Sequence, residues 1–201
     1  MVRIMIFIDY LNFQLSTIRY YCDILGKPKT PNLDFIIFPR KLTELVPNSR
    51  LVKTYLFAPK PDDFLMQDKS LKATYDWING KLRNLKYFEV IEGEYVSRHV
   101  NIKIPKDINN PNTYYKIEKG TDVNMSTWML TKAFHNAYDL AIMVSGDSDY
   151  LPVIKQINNL GKNIIAVGVE GQNINKLRQY VDDNVLLDDV FFKTCLYKSV
   201  K

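Results

Sequence analysis

Residues 139–169 read DLAIMVSGDSDYLPVIKQINNLGKNIIAVGV. Period and punctuation predict a strand over 140–145, a helix over 150–160, and a second strand over 163–169. Asp147 and Asp149 stand one residue apart where the first apolar run ends. Two carboxylates so close repel each other unless a cation, a donor or water compensates. A cap on the helix near Tyr150 would explain Asp147, but it leaves a third acid, Asp9, unexplained at the end of another apolar run, Arg3 to Ile8.

The same alternation extends outward. A helix is predicted over 13–24 ending at Gly26, and a strand over 50–58 stopped by Pro59 and Pro61. A long helix follows over 68–85, then a strand over 87–94. Asn, Pro and Lys make 97–118 a hairpin or loop insertion. Thr121 opens a helix to about 136, and after the quoted stretch a helix over 174–181 and a short strand over 185–187 close the chain. Strands alternating with helices imply an α/β domain spanning 1–201, a mostly parallel central sheet flanked by helices on both faces. In such sheets ligands sit beyond the carboxyl ends of the strands. Asp9, Asp147 and Asp149 fall there, and Asp122 falls in the first turn of a helix, a position also satisfied by the helix dipole alone.

Composition narrows the function. The 201 residues are 46% hydrophobic and 24% charged, with net charge +5, enough apolar content for a full core. No apolar run reaches the roughly 18 residues of a membrane span, and MVRIMIFIDYLNF carries Asp9 inside its apolar stretch, unlike a secretion signal. The expected compartment is the cytoplasm, with no membrane partner. Cys22 and Cys195 are too isolated for a disulfide framework or a zinc site. His99 and His135 read as ordinary surface or core side chains, and Trp77 and Trp128 as packing residues.

Positive charge is concentrated in 27–60 and again in 97–120, where Arg98, Lys103, Lys106 and Lys116 accompany Tyr114 and Tyr115. Basic residues interleaved with aromatics suit a phosphodiester backbone and unstacked bases, although a solvated face has the same composition. Carboxylates converging from separate strand ends without His or Cys form a hard oxygen site for Mg²⁺ or Mn²⁺. Such ions activate water and stabilise the leaving oxygen in phosphodiester hydrolysis.

IFIDYLNF (6–13), KGTDVNMSTWML (119–130) and MVSGDSDYLPVIKQINNLGKNIIAVG (143–168) resemble the three motifs of the NYN family, the LabA-like branch of the PIN-like ribonuclease superfamily. The resemblance covers the start and the last part of the chain, and its third motif is the most specific. It implies a Rossmann-like PIN fold and metal-dependent, endonucleolytic cleavage of RNA, and it admits a homodimer; single strands are the expected substrate because unstacked strands can reach a cleft at a sheet edge. Asp9, Asp122, Asp147 and Asp149 match the family's acidic positions, as catalytic residues and metal ligands, and Asn12, Ser145 and Lys119 match its supporting polar positions. The alternative is a PIN-like module that binds RNA or protein without cutting.

Two departures stand out. The first motif usually reads Asp-Gly-x-Asn, whereas Tyr10 follows Asp9 here and puts a ring where a backbone approaches substrate. A further acid from mid-chain is also common, yet no motif selects among Asp62, Asp63, Asp68 and Asp76, which read as solvated surface. A haloacid dehalogenase-type phosphatase would need an acid where Leu11 stands, and a dinucleotide site would need a Gly-rich turn that DYLNFQ lacks.

Overall fold

The order of elements follows the apolar punctuation of the chain. The computed structural model describes residues 1–197. Strand β1 (Val2–Asp9) leads into α1 (Tyr10–Ile18), whose last turns, Arg19–Ile24, widen into a π-helix. A short α2 (Ile37–Thr43) precedes β2 (Ser49–Pro61), followed by α3 (Lys69–Gly80), β3 (Phe88–His99) and β4 (Tyr114–Lys119). The motif-rich second half runs α4 (Thr121–Phe134), β5 (Leu140–Val144), α5 (Leu151–Asn159), β6 (Asn163–Val169), α6 (Asn175–Arg178), β7 (Asp183–Leu187) and α7 (Asp189–Thr194). Among the described residues the strands form one seven-stranded sheet in the order β4-β3-β2-β1-β5-β6-β7. It is mixed: β4 runs antiparallel to β3, and the other neighbours are parallel.

The central strands read as near-continuous apolar runs because parallel strands bury both faces. Ile4, Ile6 and Ile8 of β1 join Phe13, Phe38, Ile78 and Phe192 in one core cluster. The alternate residues Met5 and Phe7 join Met125 and Met129 of α4 and Val153, Ile154 and Ile157 of α5 in another. The period of two along β1 thus fixes both the direction of Asp9 and the seating of the helices around it.

Several boundaries differ from the sequence expectation, each for a tertiary reason. Pro59 and Pro61 do not stop β2, which pairs with β3 as far as Pro61↔Tyr95. The amides of Thr54 and Asp62 donate toward β3, so by alternation the proline nitrogens point to the other side, where β1 has already ended at Asp9↔Phe57 and no ladder bond is lost. The helix expected over 68–85 ends at Gly80, and that over 174–181 is a single turn. Strands β3 and β4 form an antiparallel hairpin from Glu94↔Lys119 to His99↔Tyr114, with the loop between them.

Asp62 anchors that hairpin. Its carboxylate accepts from the Ser97 amide at 2.7 Å, the Ser97 hydroxyl at 2.7 Å and the Leu65 amide at 2.8 Å. Burial opposes its ionisation, but these donors win and hold its pKa below the ordinary value. Asp62→Ala leaves three donors without their acceptor and should cost about 2 kcal/mol. Chemical denaturation reads this as a lowered midpoint, and a midpoint equal to wild type would remove the anchoring role.

Candidate active site

Strands β1 and β5 are adjacent and parallel, with Ile8 paired to Val144, so the residues that follow them emerge side by side. Asp9 is 3% exposed and caps α1, accepting from the Asn12 amide at 3.1 Å. Ser145, equally buried, donates its hydroxyl to Asp9 Oδ2 at 3.2 Å and accepts from the Asp147 amide at 3.2 Å. Asp147 in turn caps the next turn, accepting from the Asp149 amide at 2.9 Å. Asn12 Oδ1 accepts from the Gly146 amide at 3.1 Å and from Gln172 Nε2 at 2.9 Å, lacing α1 to the loops after β5 and β6.

Asp122 arrives from the other side of β1. Gly120, at φ 78°, turns the chain from β4 into α4, and Gly93 lets that turn press against β3. A methyl group at Gly93 would collide with Thr121 Oγ1 and come within 2.9 Å of the Lys119 carbonyl oxygen. The close approach delivers Asp122 to Tyr150. The fully buried Tyr150 places its hydroxyl 3.1 Å from Asp9 Oδ2 and 2.9 Å from Asp122 Oδ1. One hydroxyl has one proton to donate, so two ionised carboxylates around it are not both satisfied.

The electrostatics follow from that crowding. Burial pushes Asp9 up to about 6, and Asp122 adds to the rise against the Asn12, Tyr150 and Ser145 donors. Glu118, one residue before the second motif, is pushed up to about 7 by burial and by Asp9 and Asp122. The neighbouring Thr121 hydroxyl opposes that rise, yet neither the buried Glu118 Oε1 nor Thr121 Oγ1 has a hydrogen-bond partner among the described residues. Burial and both acids also raise the Tyr150 phenol, which stays neutral.

The expected site residues divide accordingly. Asp9, Asp122 and Asp147 are tied together through Tyr150 and Ser145, and Asn12 braces them. Asp149 lies at the same edge with an exposed side chain, and Lys119 is exposed at the end of β4. Glu118, Tyr150 and Gln172 were not singled out in the sequence. The mid-chain acids have other roles: Asp62, just after β2, anchors the hairpin, Asp68 caps α3 and Asp76 pairs with Lys72.

In the hairpin, Arg98, Lys103, Tyr115 and Lys116 are exposed. Tyr114 is not available for stacking on a ligand: it is 7% exposed and packs edge-on against Phe64 at 4.9 Å. Lys106 lies 4.4 Å over the same Phe64 ring and bonds the Ser97 hydroxyl, so both brace the hairpin.

The NYN domain family model matches residues 3–188. The chain belongs to the NYN family. NYN domains are PIN-like and are generally nucleases. A crystal structure of a protein of unknown function from Vibrio parahaemolyticus is similar to this NYN chain at 19% identity, covering 95% of each chain with TM-score 0.56, a likeness of fold. No curated protein matches. Among the described residues no helix is long and apolar enough to cross a membrane.

The donor set fits a hard divalent cation: Asp9, Asp122 and Glu118 offer carboxylate oxygens only, one of them buried without a partner. Among the described residues no three His, Cys, Asp or Glu side chains are already drawn together to ion-holding distance. The Tyr150 hydroxyl lies between Asp9 and Asp122.

Proposed function

We propose that this NYN domain is a metal-dependent ribonuclease that hydrolyses RNA phosphodiester bonds at the carboxyl edge of its sheet. The observation that carries this reading is the buried Asp9, held beside Asp122 by one tyrosine hydroxyl and joined to the Asp147 loop by Ser145. Such crowding of acids costs stability without a cation to neutralise it. A bound Mg²⁺ or Mn²⁺ supplies Lewis-acid polarisation of the phosphate and a water of lowered pKa. Asp9, Asp122 and Asp147 are its ligands in this reading, with Asp149 and Glu118 available at the rim. Asn12, Ser145 and Tyr150 hold these side chains in place, and Lys119 meets phosphate charge. Exposed Arg98, Lys103, Lys116 and Tyr115 extend the contact along a single strand. The same reading makes 1–201 one LabA-like PIN domain with helices on both faces, endonucleolytic, cytoplasmic, and able to form a homodimer.

A second reading, a module that binds RNA or protein without cutting, draws on the Tyr150 hydroxyl between the two acids. A panel of labelled RNAs incubated with Mn²⁺, Mg²⁺ or chelator separates the two. The ribonuclease cuts only with metal, and Asp147→Asn, which keeps its capping oxygen, loses about a hundredfold in rate at an unchanged melting temperature. Wild-type protein that binds RNA yet cuts none of it in either metal would establish the binding module instead.

A further inference from the structure

On the Tyr10 side of α1, α1 and α3 do not close on each other. A groove of about 440 Å³ lies between them and the 30–35 loop, and its walls include Tyr10, Gln14, Asn32, Phe35, Thr74 and Trp77. Its volume is that of a small-molecule site. A narrower cavity of about 40 Å³ shares Tyr10, Gln14 and Thr74 with it and adds Leu11 and Tyr95. Tyr10 directly follows Asp9, so the groove starts one residue from the centre of the candidate active site.

The lining is uncharged: it contains no Asp, Glu, Lys, Arg or His. It therefore offers no full charge to a bare phosphate or a cation, and suits a flat neutral ring. Trp77 is half-buried and fixed edge-on by Phe35 at 5.5 Å, so its ring is held in place before any ligand enters. The side-chain amides of Gln14 and Asn32 bring donors and acceptors able to bond a heterocycle's edge. Charge returns at the rim. Arg19, Lys29 and Lys69 each stand one residue from a lining position, are exposed, and enter no ion pair among the described residues.

An uncharged aromatic floor inside a cationic rim is the chemistry of single-stranded nucleic acid, with bases inside and phosphates outside. We propose that the groove between α1 and α3 is a base-binding subsite, which takes an unstacked nucleobase of the RNA strand next to the scissile phosphate, with Tyr10 and Trp77 as its aromatic walls. This rests on RNA as the substrate. Tyr10, which replaces the family's glycine, then contributes a wall of the subsite; its ring packs against the core and lines the groove and the narrower cavity.

The test uses a labelled single-stranded RNA octamer and an octamer of the same ribose-phosphate backbone without bases, both bound in chelator so that cleavage plays no part. The unmodified protein should bind the RNA about tenfold or more tightly than the abasic strand. In a Trp128→Phe background, RNA but not the abasic strand should quench Trp77 fluorescence. Ala73→Phe, an exposed α3 position that lines the groove, should fill it and erase both differences while leaving the acids untouched. Equal affinity for the two strands, or unaltered RNA affinity in Ala73→Phe, overturns the subsite. Base-dependent binding by a protein that cuts nothing in Mn²⁺ keeps the subsite and overturns the ribonuclease reading. Metal-dependent cutting with KM unchanged in Ala73→Phe and no Trp77 quenching does the reverse.

Discussion

Asp9→Asn should lower RNA cleavage by two or more orders of magnitude while the fold and RNA binding persist. The change removes the most buried charge of the site and, on the proposed reading, one of the metal's ligands. Lewis-acid stabilisation is worth several kcal/mol, and each 1.36 kcal/mol is tenfold in rate. The local structure has a way to accommodate the amide. Its oxygen can still accept from the Asn12 amide and cap α1, and its N–H can donate to the Tyr150 oxygen, leaving the phenol proton for Asp122. Melting in chelator should therefore be equal to or higher than wild type, because a buried, crowded charge has gone. Rates, metal titrations followed by melting, and RNA affinity measured together give the answer. Cleavage near the wild-type rate would remove Asp9 from the chemistry.

In chelator, the protein should be more stable near pH 5 than near pH 8, the reverse of ordinary acid sensitivity. Asp9 rises from 3.8 to about 6 on folding and Glu118 from 4.5 to about 7, both through burial first. Well below pH 3.8 both acids are protonated in either state and contribute nothing. As pH rises through 4 to 7 the unfolded chain releases these protons more readily than the folded one, so stability falls. Each pKa unit corresponds to about 1.4 kcal/mol, so ionising Asp9 in place costs roughly 3 kcal/mol. For a chain of this size that is roughly 6–12 °C of melting temperature over the whole titration, about half of it above pH 5. Asp139 acts in the opposite sense, held down at about 2 by Arg3, but its stabilisation is lost only as pH falls from 3.8 toward 2. Saturating Mn²⁺ should raise the pH 8 value most, and Asp9→Asn should flatten the profile. A melting temperature that climbs steadily from pH 5 to 8 in chelator would show that these acids are not crowded.

The sequence carries the strand and helix order from α4 to β7, though not α7, because parallel strands at the centre of a sheet must be apolar on both faces. For Asn163–Val169 even the boundaries agree. It also placed Asp9 and Asp147 at one edge, since adjacent parallel strands end on the same side. What surrounds them follows from tertiary packing. Glu118 looks like one more charge in a basic stretch until Gly93 and Gly120 fold β4 and α4 against β3, half-bury it and bring it within the field of Asp9 and Asp122. Tyr150 marks only the start of a helix in the sequence, and its hydroxyl matters only because two acids distant in sequence meet there. Tyr114 looked like a stacking residue and is buried against Phe64, while Pro59 and Pro61 looked like a strand stop and face the side that β1 has vacated. Periodicity records which face of an element is buried, but the partners of a polar atom depend on contacts between distant segments, and no local pattern encodes those.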